Sequence, residues 1–77
     1  MSIIGMQLRD FYDEANYLNY EYVAGLRKIF FKYNDEFYIV EDDFNKDELF
    51  FIKKNGKIIA FVSALDSNCI ITDIKEF

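Results

Sequence analysis

Asn55-Gly56 is the feature that most constrains the fold. It joins two apolar runs, LFFIKK before it and KIIAFVSA after it. A two-residue hairpin turn of type I′ needs positive φ at both central positions, and Asn-Gly supplies that at the least steric cost. The stretch Leu49–Ala64 therefore predicts strands at 49–54 and 57–64.

The segments on either side are read against this hairpin. Leu8, Phe11, Tyr12, Ala15, Leu18 and Tyr22 recur at three- and four-residue steps, and Arg9, Asp10, Asp13, Glu14 and Asn16 fall between them. That spacing predicts a helix over 6–24, with Gly25 as its stop. Residues 19–33 also fit strand, because Lys28–Tyr33 is rich in β-branched and aromatic side chains. A hairpin with strands at 27–33 and 36–41 is preferred. KIFFKYNDEFYIV and ELFFIKKNGKIIAFV share a Phe-Phe pair, an Asn at the turn and a β-rich run, with a one-residue difference. Glu41–Glu48 is the connection between hairpins, Asp66-Ser67-Asn68 a turn, and CIITDI (69–74) a last strand. The expectation is a single α+β domain over 1–77, with one N-terminal helix packed on a four- or five-stranded antiparallel meander sheet.

A half-buried strand alternates apolar and polar residues, and the central hairpin does not. Leu49 and Phe51 point one way, Phe50 and Ile52 the other. In the partner run Ile58, Ala60 and Val62 oppose Ile59, Phe61 and Leu65. One helix covers one face, so the other calls for strong sheet curvature that closes the core on itself, a second copy or a partner. A homodimer through the aromatic sheet face is one expectation. The chain has 77 residues, nine Phe and six Tyr. Chains this short bury only about 60% of their unfolded surface, and aromatic rings or oligomerisation are the usual remedies.

Charge is unevenly placed. Of a net −5, the stretch 35–48 holds seven carboxylates against one lysine, Lys46. Such a surface repels phosphate, so direct nucleic-acid binding is not expected. It suits a protein partner with a basic surface, with Asp35, Glu36, Glu41, Asp42, Asp43, Phe44, Asp47 and Glu48 as contact residues. Phe37, Tyr38 and Phe44 are anchors within the same stretch. On this reading, reversing Asp42 and Asp43 to Lys abolishes binding and leaves the fold intact.

Catalytic chemistry finds little purchase. There is no histidine, so the usual general base and commonest metal ligand are missing. Cys69, between Asn68 and Ile70-Ile71, reads as a buried small apolar residue. Asp43-Phe44-Asn45-Lys46-Asp47 opens like a calcium loop, but Glu48 and Lys54 stand where that loop needs Gly and Glu, so a solvated loop is expected. The three glycines are far apart and form no phosphate loop. Lys53, Lys54 and Lys57 at the hairpin tip are read as solubilising. No catalytic residue, metal or cofactor is expected. The lone cysteine fits a reducing cytoplasm, and no apolar run approaches the roughly 20 residues of a membrane span.

LFFIKKNGKIIAFVSA followed by CIITDI, residues 49–74, resembles the middle strands of GNAT-type acetyltransferases. The family's Q/R-x-x-G-x-G/A pyrophosphate loop has no counterpart here. The resemblance thus implies a cofactor-free remnant and no acetyl transfer. In character the sequence (short, acidic, histidine-free, rich in Asn, Ile, Lys, Phe and Tyr) is similar to small inhibitors that phages make against host nucleic-acid-handling or defence proteins, of anti-CRISPR or DNA-mimic type. The expected function is that of an acidic, non-enzymatic, protein-binding inhibitor acting in the host cytoplasm. The alternative is a homo-oligomeric structural or regulatory module.

Overall fold

The computed structural model describes residues 2–43 and 48–77. The elements run α1 (Leu8–Glu14), β1 (Asn16–Val23), β2 (Leu26–Tyr33), β3 (Glu36–Asp43), β4 (Leu49–Lys54), β5 (Lys57–Ser63) and β6 (Thr72–Asp73), with a 3-10 turn at Ile74–Glu76. The strands form one antiparallel sheet in sequence order, β1 to β6. The α+β architecture expected from the sequence is present, with six strands where four or five were anticipated.

Three tight turns organise the meander. Ala24-Gly25, Asn34-Asp35 and Asn55-Gly56 each hold two successive residues at positive φ, between 51° and 86°. That is the twist-matched hairpin turn in all three places. The two strands expected around Asn55-Gly56 lie at 49–54 and 57–63. The hairpin around Asn34-Asp35 is also present, and β3 runs two residues past its expected end, to Asp43.

The helix is shorter than its spacing predicts. It ends at Glu14, and Ala15 is already extended (φ −82°, ψ 154°). Residues 16–23 are strand, which corrects the helical reading of 6–24. NYLNYEYV contains three tyrosines and a valine, side chains that fit a pleated surface better than a helix. Leu18 and Tyr22 fall at helical spacing from Ala15 by coincidence. Gly25 does not stop a helix; it completes a hairpin turn.

The expected last strand at 69–74 also needs correction. Only Thr72–Asp73 pairs with β5. The residues before it pair with the N-terminal segment instead. Gly5 N–H donates to the Ile71 carbonyl at 2.8 Å, Ile71 N–H to Met6 at 2.8 Å, and Leu8 N–H to Cys69 at 2.9 Å. These bonds carry Ile3 and Ile71 into the core, where both are fully buried.

The core lies between α1 and one face of the sheet. Register and burial assign Ile29, Phe31, Tyr38, Val40, Phe50, Ile52, Ala60 and Val62 to this inner face. Phe11 of α1 is the keystone. It is fully buried, with ring centroids 5.4 Å from Phe31 and 5.6 Å from both Tyr33 and Tyr38, all edge-on. Tyr12 stacks on Phe31 at 5.1 Å. A bulge in the β4–β5 pairing turns Ile59 toward the core beside Ala60, contrary to strict alternation.

Candidate interaction surface

The acidic stretch does not form one patch. Asp35 sits in the β2–β3 turn, whereas Glu41, Asp42 and Asp43 lie at the far end of β3. Seven steps along a strand from Glu36 to Asp43 span roughly 23 Å. Strand alternation also sends Glu41 and Asp43 to the outer face and Glu36 and Asp42 to the inner one. Phe44 and Asp47, and with them most of the calcium-like loop, lie outside the described residues. Glu48 is exposed at the start of the β4 approach.

Three of these carboxylates meet cations from neighbouring strands. Arg27 Nη2 donates to Asp42 Oδ2 at 2.7 Å across the β2–β3 ladder. Lys53 Nζ lies 2.9 Å from Glu41 across β3–β4. Lys54 pairs with Glu36. The Asp42 and Glu41 side chains are only 13% exposed. Reversing Asp42 to Lys would set it against Arg27, so that change is expected to cost stability as well as alter surface charge. The hydrogen bond to Glu36 also holds the Lys54 ammonium above its ordinary pKa.

The expected aromatic anchors separate in the same way. Tyr38 points into the core at 4% exposure, and burial pushes its phenol pKa up. Phe37 points out from the next position and is 61% exposed. The Lys32 ammonium lies 5.6 Å from its ring centre.

The outer face has a layered pattern. One row across the strands reads Glu21, Lys28, Glu41, Phe51 and Phe61; the next reads Asn19, Phe30, Ile39, Lys53 and Ile58. Phe51 and Phe61 are met by Phe77, at 5.7 and 5.3 Å. Beside this row, Leu18, Phe30, Phe37, Ile39 and Lys53 line a shallow depression of about 240 Å³. Leu18 is the residue that the β1–β2 ladder skips, between Tyr17 and Asn19. The bulge turns it to this face. The sequence marks Phe30, Phe37 and Ile39 only as strand residues, and nothing in it signals the bulge.

A second depression, about 320 Å³, lies between the start of α1 and the 67–69 loop, lined by Gln7, Arg9, Tyr12, Asn68 and Cys69. Its polar groups are largely engaged. Arg9 Nε donates to Gln7 Oε1 at 3.1 Å, and Asn68 N–H donates to Asp66 at 3.0 Å. Burial raises the Tyr12 pKa despite nearby Arg27, so its phenol stays protonated at neutral pH. Cys69 is half-buried rather than buried, with φ 47°. Among the described residues no three metal-ligating side chains cluster, and no helix is long and apolar enough to cross a membrane.

No family model matches the chain, and neither a curated protein nor a solved structure matches it.

Proposed function

We propose that this protein is a non-enzymatic module that acts by protein–protein contact, with the depression around Phe37 as its contact site. The observation that carries this reading is a large exposed aromatic ring at the rim of an apolar hollow. Exposed aromatics beside apolar pockets are the usual anchors of protein interfaces. The hollow is smaller than the roughly 300–1,000 Å³ typical of small-molecule sites, and its size suits one or two side chains of a partner. The lack of histidine supports a non-enzymatic role. An inhibitor that blocks a partner's surface fits this description. A charge-mimicking decoy fits it less well, because Glu36, Glu41 and Asp42 are already paired within the chain.

The test is affinity capture from a bacterial lysate at low and high salt, read by mass spectrometry. The immobilised protein is compared with Phe37→Glu and with the double variant Asp35→Asn/Glu48→Gln. A partner retained at both salts, lost with Phe37→Glu and kept by the double variant is the expected outcome. A partner lost at high salt and with the double variant, yet kept by Phe37→Glu, would return the function to the carboxylates.

A further inference from the structure

The two edges of the sheet are unlike. β6 has two residues, too few to template another strand. β1 has eight, and every one is exposed. Proteins normally blunt a long edge with lysine, proline, a bulge or a covering segment. β1 contains neither lysine nor proline, and no described element lies along its outer side. Its safeguards are one carboxylate, Glu21, and the bulge at Leu18. Between them lie Asn19 and Tyr20, in regular pairing with β2.

We propose that β1 pairs antiparallel with β1 of a second copy, with Tyr20 on the two-fold axis. Main-chain geometry supports this. The two-residue turn at Ala24-Gly25 makes Val23–Leu26 a hydrogen-bonded pair, so alternation leaves Tyr20–Ile29 non-hydrogen-bonded across β1–β2. The N–H and C=O of Tyr20 therefore face outward, and two copies exchange both bonds at the axis.

Side chains select the register. With Tyr20 opposite Tyr20, Asn19 lies opposite Glu21 of the other copy, twice by symmetry. The Asn19 amide donates to that carboxylate. The Tyr20 and Tyr22 rings of both copies line up on the inner side. Moving the axis to Glu21 sets two carboxylates opposite each other, which is destabilising. Moving it to Asn19 centres the ladder beside the bulge.

The area is sufficient, though small. Tyr17, Leu18, Tyr20, Tyr22 and Val23 are between 46% and 71% exposed. With an aromatic side chain offering roughly 150–250 Å², closing this edge removes on the order of 500 Å² per copy and about 1,000 Å² in total. That reaches the lower bound of specific interfaces and predicts a concentration-dependent dimer. A two-fold axis normal to the sheet keeps both outer faces on the same side, so the dimer presents two Phe37 hollows on one twelve-stranded surface.

Sedimentation velocity of the full chain over a wide concentration range tests this, with Asn19→Lys and Asn19→Glu as the decisive variants. On a free edge, a charge of either sign discourages pairing. In the proposed register the lysine of the first variant meets Glu21 of the other copy, whereas the glutamate of the second is repelled by it. The expected result is a dimer that Asn19→Lys tightens and Asn19→Glu weakens, each by roughly twofold to thirtyfold because the pair occurs twice. In the wild type the Tyr20 amide becomes protected from hydrogen exchange as concentration rises. A chain that stays monomeric throughout, or a dimer weakened equally by both variants, overturns the proposal. So does a Tyr20 amide protected only in complex with another protein, which assigns the edge to that partner. Phe37→Glu leaves this dimer intact, so failure of the edge pairing and failure of the Phe37 contact site are read separately.

Discussion

Replacing Phe11 with Ala is the sharpest test of how the fold is held together. A domain of 77 residues has a stability of about 4–12 kcal/mol. Phe11 is fully buried and meets Phe31, Tyr33 and Tyr38 edge-on. Truncating such a ring costs about 3–5 kcal/mol, through lost transfer energy and the cavity left behind. The site cannot collapse cheaply. Its walls are strand residues held in the sheet ladders, and α1, with seven residues, docks otherwise through Leu8 and the half-buried Tyr12. With a urea m-value near 1 kcal/mol/M for a chain this size, the unfolding midpoint falls by about 3 M or more. The chain has no tryptophan, so near-ultraviolet circular dichroism of the tyrosines is the natural readout. Phe37→Ala is the control, because its ring is exposed and its loss should change stability by no more than about 0.5 kcal/mol. A Phe11→Ala loss below about 1.5 kcal/mol, with m unchanged, would show that α1 is not the lid of this core.

Three further expectations follow from specific contacts. Asp42→Asn, which weakens a charge-assisted bond to Arg27 at a mostly buried site, should cost about 1–3 kcal/mol in urea unfolding, while Glu48→Gln should be close to neutral; equal effects would refute the pairing. Gly56→Ala meets no atom within 4 Å but holds φ +77°, so its cost is backbone strain alone, about 1–2 kcal/mol. By the same reasoning Ala24→Asn, at φ 54°, should raise the midpoint, and an unchanged or lower one would contradict the turn geometry. Finally, Tyr12 and Tyr38 have raised pKa values because burial disfavours the phenolate, and Lys54 is raised by its bond to Glu36. All three folded-state values exceed the unfolded ones, so their stabilisation is complete below about pH 10 and is lost as pH climbs beyond it. Tyr38→Phe should flatten that alkaline decline relative to its own value at neutral pH, as followed by thermal unfolding; an undiminished decline would argue against a buried phenol.

The sheet was legible where turn chemistry spoke. Asn55-Gly56 and Asn34-Asp35 announce hairpins because Asn and Asp tolerate positive φ. Ala24-Gly25 does so only by half, since alanine carries no such signal, and nothing local marks the first strand. Leu18 and Tyr22 then joined the real helical series of Leu8, Phe11, Tyr12 and Ala15 by accident of spacing. The N-terminal contribution of Ile3 was invisible because it depends on pairing with Ile71, far away in sequence. The Phe-Phe correspondence was real as two hairpins but misleading as a repeat. Phe31 lies three residues before its turn and Phe51 four, so Phe31 faces inward and Phe51 outward.

The same dependence on register decides what the acidic stretch is for. Composition counts carboxylates; pairing sets them beside cations. Arg27–Asp42 and Glu36–Lys54 stand at opposite ends of the inner face, where the apolar core gives way to solvent. Glu41–Lys53 continues the charged row of Glu21 and Lys28 across the outer face. The outer aromatics fall into two groups: Phe51 and Phe61 extend that row across β4 and β5, and Phe30 and Phe37 lie in the rows beside it. The chain treats the halves differently. Phe51 and Phe61 are met by its own Phe77. Among the described residues Phe30 and Ile39 receive no such ring, and Phe37 stands beside them with most of its surface in water. An apolar face explained by solubility alone would leave both halves alike; the difference between them is the reason the proposed contact site is placed at the Phe37 hollow.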